Sequence, residues 1–205
     1  LKAIATAEEV YQSDDTPERY TSVTDLLTET VTNANNSIEA YDALKTAISE
    51  AEQTYADGQG TGAESFRESI DEASNVYKLQ ETATDEVYAA IEKLNDAGLR
   101  FKVDNATGDV PVVVTDKRYA RGCIEAFGRS TISGVADSEI LERGFVYSET
   151  NPEPTIYDEK STDYLEYNGR IYRMPMKPGT LYYIRAYAMT TGYAVGYGDV
   201  IRIST

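Results

Sequence analysis

Apolar residues follow a helical period in the first half of the chain and a strand period in the second. Within residues 1–97 the pattern Ile-x-x-Ala-x-x-x-Tyr occurs three times, starting at Ile4, Ile48 and Ile70. Offsets of three, four and seven residues place these side chains on one helical face. The pattern predicts an up-and-down bundle of about five helices, near 1–12, 17–34, 37–57, 63–80 and 84–97.

Polar residues, proline and glycine predict where these helices begin and end. Pro17 follows Thr16 as the first residue of a helix. Three further starts are predicted: capping boxes at Asn36-Ser37-Ile38-Glu39 and Thr61-Gly62-Ala63-Glu64, and a cap followed by two acids at Thr84-Asp85-Glu86. Gly58 to Gly62 separates two helices and Gly98 ends the last one.

Beyond Gly98 the pattern predicts an extended segment and then a series of short strands. Apolar residues alternate with basic ones over residues 99–103, and a polar linker continues to residue 109. Strands are predicted near 111–115, 119–128, 140–148, 169–174, 181–189 and 194–205. The predicted fold is therefore a two-domain protein, all-α then all-β: a helical bundle at 1–98, a linker at 99–109 and a β-sandwich at 110–205.

The strand at 181–189 carries the most specific signal. Alternation directs Tyr182, Ile184, Ala186 and Ala188 inward, and Tyr183, Arg185 and Tyr187 outward. The turn Pro178-Gly179 precedes the strand, and the Tyr182 hydroxyl can reach back to the backbone of that turn. This arrangement is the tyrosine corner of Greek-key sandwiches.

Composition supports the division into two halves. Residues 1–104 contain 8 Lys and Arg against 22 Asp and Glu, a net of −14, whereas residues 105–205 contain 11 against 13, a net of −2. The second half also holds 11 of the 17 tyrosines. A net charge of −16 argues against nucleic-acid binding, which needs a basic surface. We interpret the acids as a solvated helix face that keeps the protein soluble.

The residue types present exclude most catalytic and cofactor chemistries. The chain has no His, which rules out Ser-His-Asp, Cys-His and His-metal sites. No calcium loop is present, and the run Gly58–Gly62 lacks the Lys of a phosphate loop. Cys123 has no second cysteine to pair with, and we expect it to be a small core residue in a strand. We therefore predict no enzyme activity, no cofactor and no metal.

Residues 37–97 resemble a FIVAR module. The residues that carry the resemblance are Leu44, Ile48 and Ala51, then Phe66, Ile70 and Ala73, then Thr84-Asp85-Glu86-Val87 with Ala90 and Leu94. Residues 1–57 would form a second, overlapping unit. The resemblance implies a small helical module of extracellular multidomain proteins, often a spacer or attachment unit.

The second half resembles a fibronectin type III variant that is frequent in Bacteroidetes surface lipoproteins. The matching residues, all within 110–205, are Glu142-Arg143-Gly144-Phe145-Val146-Tyr147-Ser148, Pro154-Thr155, Pro178-Gly179-Thr180, Tyr182-Tyr183, Arg185-Ala186-Tyr187-Ala188 and Tyr197-Gly198. The core Trp of animal domains is missing, and we expect Phe145 and Tyr147 to fill its place. The family implies a non-catalytic sandwich attached to glycan-degrading enzymes or found in glycan-binding proteins of the outer membrane.

Two functions follow from these resemblances. The first is a spacer or presentation module pair of a bacterial surface protein, the N-terminal part of a longer chain. The alternative is a surface glycan-binding lipoprotein of a polysaccharide-utilisation system, with sugar rings stacked on Tyr157, Tyr164, Tyr167, Tyr193 or Tyr197. The expected partners are a polysaccharide or another surface protein. We expect a monomer, outside the outer membrane or secreted, whose membrane attachment is an N-terminal lipid anchor. No stretch reaches the roughly 18 apolar residues of a membrane span.

Overall fold

The computed structural model describes residues 2–12, 17–56, 58–117, 120–161, 163–166 and 170–205. The chain divides into two compact units, Leu1–Asp104 and Asn105–Thr205. Helices form the first unit and antiparallel strands form the second, which confirms the predicted order of helices followed by strands.

Four helices make up the described part of the helical unit. They are α1 (Lys2–Gln12), α2 (Pro17–Thr54), α3 (Ala63–Leu79) and α4 (Thr84–Asp104). α1 packs against α2, and the C-terminal half of α2 shares a core with α3 and α4. Leu44, Phe66, Ile70 and Leu94 are almost fully buried in that core. No helix in the described residues is long and apolar enough to cross a membrane.

The predicted helix break between residues 34 and 37 is wrong. α2 runs without interruption through Asn36 and Ser37, so the predicted capping box at these residues does not form and five predicted helices become four. Asn and Ser each cost a helix interior about half a kcal/mol relative to Ala. Because neither Gly nor Pro stands in this segment, nothing there breaks the helix.

The prediction that Gly98 ends the last helix is also wrong, as is the extended segment predicted at 99–103. α4 continues to Asp104, so the predicted linker at 99–109 is helical over its first six residues. Phe101 is buried and stacks on Phe66, with ring centroids 4.9 Å apart. Burying a Phe side chain contributes about 1.5–3 kcal/mol, more than the roughly 1 kcal/mol that an interior Gly costs.

The predicted starts of the other helices are partly confirmed. Pro17 is the first residue of α2, and Asp85 and Glu86 lie in the first turn of α4. The capping box predicted at Thr61 is wrong, since Gly62 occupies the N-cap position of α3 without a side-chain cap. Gly62 has φ +76, and this left-handed conformation favours Gly over the residues that cap through a side chain.

The β unit contains eleven described strands. They are β1 (Val112–Thr115), β2 (Ala120–Arg121), β3 (Glu125–Gly128), β4 (Ser130–Ser133), β5 (Ile140–Ser148), β6 (Glu159–Lys160), β7 (Asp163–Glu166), β8 (Arg170–Pro175), β9 (Leu181–Thr190), β10 (Val195–Tyr197) and β11 (Ile201–Ser204). They form three antiparallel sheets, in the orders β1-β4, β2-β3-β8-β7 and β10-β9-β5-β6, with β11 also paired to β9. The strand predicted at 119–128 is two strands, and so is the one at 194–205.

One hydrophobic core joins strands of all three sheets. It contains Val113 of β1, Met174 of β8, and Phe145 and Ile184 of the neighbouring strands β5 and β9. Phe145 is fully buried, and Tyr147 is also buried.

One predicted side-chain position in this unit is wrong. Cys123 is exposed rather than in the core, because it lies in the turn between β2 and β3 that Gly122 closes by donating to the Glu125 carbonyl at 2.8 Å. Tyr187 lies on the outward face, as predicted, apart from the core that contains Ile184 and Ala186, but it is buried there. Its partner across the sheet is Gly144, which leaves room for the ring, and its hydroxyl donates to Glu142 at 2.5 Å.

Candidate functional site

A cleft of about 810 Å³ opens beside the C-terminal ends of β5 and β8. Its apolar wall consists of the buried side chains of Tyr147, Met176 and Tyr182. Glu149, Lys177 and the run 157–160 supply polar groups. The cleft therefore combines aromatic surface with hydrogen-bonding groups of both signs, as small-molecule sites commonly do.

Strand register brings Glu149 to the cleft. Ser148 at the end of β5 pairs with Tyr183 of the antiparallel strand β9, so Glu149, which follows Ser148, lies beside Tyr182, which precedes Tyr183. The Tyr182 hydroxyl donates to Glu149 at 3.1 Å and accepts from the Lys177 backbone N–H at 3.0 Å. This second bond confirms the hydroxyl-to-turn contact that the tyrosine corner requires.

The Glu149 carboxylate and the Lys177 ammonium form an ion pair with a separation of 2.7 Å. The hydrogen bond from Lys177, followed by the one from Tyr182, holds the pKa of Glu149 below its usual value. The same hydrogen bond to Glu149 raises the pKa of Lys177. Both groups are therefore charged at neutral pH and engaged with each other.

A network of side-chain hydrogen bonds shapes the loop between β5 and β6. The Asp158 carboxylate accepts from the Thr155 backbone N–H at 2.8 Å and from the Asn151 amide at 2.9 Å. The Ser148 hydroxyl accepts from the Asn151 backbone N–H at 3.1 Å. Each bond joins residues three to seven positions apart, so the loop that carries Tyr157 has a defined conformation.

Two residues of the neighbouring strands anchor this loop to the sheet. Arg185 of β9 donates through Nε to the Pro154 carbonyl at 2.5 Å. The Tyr197 hydroxyl accepts from the Ile156 backbone N–H at 3.1 Å. The Arg185 guanidinium lies 4.0 Å from the centroid of the Tyr197 ring, within cation–π distance. Tyr197 and Arg185 thus hold the loop on the sheet and cover each other.

Five tyrosines were predicted from sequence to stack on sugar rings, and the three whose side chains the structure describes occupy different environments. Tyr157 lines the cleft and is 38% exposed. Tyr197 holds the loop behind Tyr157, and Tyr193 lies on the turn after β9 with φ +63, where its backbone bridges to Thr107. The Tyr164 side chain and Tyr167 lie outside the described part of the structure. Among the predicted tyrosines whose side chains are described, Tyr157 is the only one that lines the cleft.

Sequence reasoning missed Glu149, Lys177 and Met176 as cleft residues. The signal that could have found them is the pairing of β5 with β9, combined with the tyrosine corner that fixes Lys177 near Tyr182. The carboxylates of Glu149 and Asp158 both accept hydrogen bonds from other residues of the protein. The described residues include no group of three or more His, Cys, Asp or Glu placed to hold a metal ion.

No family model matches this chain, and no curated protein matches it.

Proposed function

We propose that the β unit is a fibronectin type III-like sandwich and that the helical unit is a FIVAR-like module preceding it. The core shared by β1, β5, β8 and β9 supports a layered arrangement of the sheets, since its residues come from strands that do not all pair with one another. The bond from the Lys177 backbone to the Tyr182 hydroxyl supports the Greek-key assignment.

The function that this geometry supports best is that of a non-catalytic spacer or presentation module pair on a bacterial surface protein. One observation carries this proposal: each unit has a hydrophobic core of its own. Units of about 100 residues with separate cores are the size of independently folding domains, and a spacer is built from such domains. At the cleft, Glu149 and Asp158 serve the structure, which also favours a non-catalytic role.

Surface labelling of cells that produce the native protein tests the location outside the outer membrane that this function requires. An antibody raised against the chain should label intact cells, and external protease should remove the label. Labelling only after permeabilisation would contradict the proposed location outside the outer membrane.

The second candidate function, a glycan-binding protein, is favoured by the position of Tyr157. Its ring is partly exposed on a fixed loop beside the cleft. A sugar presents hydroxyl groups together with an apolar C–H face, and such a molecule matches an aromatic wall with polar neighbours. The mixed charges of Glu149 and Lys177 favour a neutral glycan over a strongly charged one.

Isothermal titration calorimetry against a panel of host and plant polysaccharides tests this candidate. If a glycan binds in the cleft, Tyr157→Ala should raise its Kd by about tenfold, which corresponds to about 1.4 kcal/mol. Tyr88→Ala is the matched control, because Tyr88 is an exposed tyrosine of α4 in the other unit. The absence of heat with every glycan, for a folded protein, would exclude glycan binding and leave the spacer function.

A further inference from the structure

An apolar groove lies between α1 and the N-terminal half of α2. Its volume is about 490 Å³, and Ile4, Ala7 and Tyr11 of α1 line it together with Tyr20, Val23 and Leu27 of α2. Ile4 is 54% exposed and Tyr11 is 80% exposed. Large apolar side chains that are grouped and exposed in this way mark interaction surfaces more often than scattered ones do.

The internal repeat indicates what this surface is built to contact. Ile4, Ala7 and Tyr11 form the first copy of the Ile-x-x-Ala-x-x-x-Tyr pattern. In the third copy, on α3, Ile70 and Ala73 are fully buried because both α2 and α4 pack against α3. In the described residues, the first copy packs mainly against one helix, α2. The face formed by this pattern is therefore covered by two helices on α3 and mainly by one helix on α1.

α2 has the same asymmetry along its length. Ala40, Leu44, Ala47 and Ala51 are the buried residues of this 38-residue helix, and all lie in its C-terminal part. Farther toward its N-terminus, Leu26 is 42% exposed and Val31 is 58% exposed. The C-terminal part belongs to a three-helix core, whereas the N-terminal part and α1 form a pair. A third helix would complete the N-terminal pair in the same way.

The acidic residues around the groove indicate which kind of helix would fit there. Residues 2–36 contain seven Asp and Glu, against Lys2 and Arg19. A second copy of the chain would bring two such acidic surfaces together, and like charges at close range are unfavourable. Glu8 itself lines the groove. A helix whose apolar stripe is bordered by Lys and Arg matches both the apolar floor and the acidic surroundings.

We propose that the groove between α1 and α2 docks an amphipathic helix with basic flanks from another protein. The 11 residues of α1 span about 16 Å, so a partner helix of three turns covers the groove. The docked helix completes a second three-helix bundle in series with the one formed by α2, α3 and α4. The helical unit is then an attachment module as well as a spacer.

Fluorescence anisotropy with two labelled synthetic helical peptides of 18 residues tests the proposal. Both peptides carry Leu and Ala at helical spacing along one face; one has Lys at the flanking positions and the other has Glu. The full chain should bind the Lys peptide at protein concentrations up to about 100 µM, and should bind it at least tenfold more tightly than the Glu peptide. Raising the salt concentration should weaken binding of the Lys peptide.

Two double variants locate the binding site. Ile4→Glu with Tyr11→Glu should weaken binding of the Lys peptide at least tenfold. Leu79→Glu with Tyr88→Glu is the matched control, because it also replaces one exposed aliphatic residue and one exposed tyrosine and adds the same charge elsewhere in the unit. The control should bind within about twofold of the unaltered chain, and circular dichroism should show equal helicity in both variants.

Three outcomes would overturn the proposal. Failure of both peptides to bind would show that the groove docks no such helix. Equal losses in the two double variants would show that binding is general electrostatic attraction to the acidic unit. A dimer in sedimentation that Ile4→Glu with Tyr11→Glu abolishes would show that the occupant is a second copy of the chain.

Discussion

The Tyr182 hydroxyl connects three segments of the β unit. It lies near the start of β9, accepts from the Lys177 backbone ahead of that strand and donates to Glu149 just beyond β5. The Tyr182 ring packs against the Tyr147 ring with centroids 6.0 Å apart. One buried side chain thus fixes the turn, the end of the neighbouring strand and one wall of the cleft.

Tyr182→Phe should lower the free energy of unfolding by about 1–2 kcal/mol. The ring remains, but the Lys177 N–H loses its acceptor, and an unpaired donor in a partly buried position has a cost of this size. Tyr183→Phe is the control, since Tyr183 follows on the opposite face of the strand and its ring keeps the contact with Arg202. Urea unfolding measures the free energy of unfolding of both variants. An unchanged midpoint for Tyr182→Phe would contradict the tyrosine corner.

The stability contributed by Glu149 should depend on pH in a defined direction. The pKa of Glu149 is lowered in the folded protein by hydrogen bonds from Lys177 and Tyr182. A carboxyl with a lowered folded-state pKa stabilises the protein above its unfolded pKa, which is about 4.3, and the stabilisation is lost as the pH falls through the folded-state pKa.

Comparing Glu149→Gln with the unaltered chain between pH 7 and pH 3 measures this dependence. The variant should have the lower unfolding midpoint at pH 7, and the difference should shrink as the pH approaches 3. A difference that stays constant over this range would show that the Glu149 charge contributes nothing to folding.

Single-residue environments were predictable only where one face of a strand decides burial. Alternation correctly predicted that Tyr182, Ile184, Ala186 and Ala188 are buried. It also assigned Tyr187 to the opposite face, but Tyr187 is buried there because Glu142 and Lys160 cover that face of the sheet. Alternation assigns a residue to a face and carries no information on whether the face is covered.

Packing, rather than local residue preference, sets the C-terminal end of α4. Gly98 lies inside α4, and a Cβ built on it would meet the Phe66 ring at 3.5 Å, an ordinary contact. The contact of Phe101 with Phe66 one turn later stabilises the helix beyond this Gly. Local sequence signals identify Gly98 as a helix breaker, but they do not show that Phe66, distant in sequence, packs against Phe101 and stabilises the helix.

Gly98→Ala should raise the free energy of unfolding by about 0.5–1 kcal/mol. Alanine loses less backbone entropy than glycine when a helix forms, and the added methyl group fits against Phe66. Gly128→Ala is the contrasting variant, because its Cβ would stand 2.5 Å from the buried Phe145 ring and should destabilise the fold. Thermal unfolding compares the two. A loss of stability with Gly98→Ala would contradict a continuous α4.

The arrangement of elements in each unit was predictable to different degrees. The helical half was recognisable from its repeat and its acidic composition, and the only large errors concern where α2 and α4 end. In the β half, the strands predicted at 140–148 and 181–189 correspond to the long strands β5 and β9. Short ones such as β2 and β6 contain two residues each, too few for a period to be visible.

At the scale of the whole molecule, the charge and the fold divide at the same place. The boundary between the two compact units falls between Asp104 and Asn105 in the sequence, and the residues before this boundary carry a net charge of −14. The cleft was not predicted because the sequence pattern was used to find strands and not to decide which strands pair across the β unit. The groove could not be predicted because its exposure depends on how many helices cover α1.

The two units of the chain should fold independently of each other. Calorimetry on residues 1–104 and on residues 105–205, each produced alone, measures whether they do. Each half should unfold in one cooperative transition with a measurable enthalpy, because each has its own hydrophobic core. If either half produced alone is unfolded, or melts without a cooperative transition, the account of two independent modules is wrong.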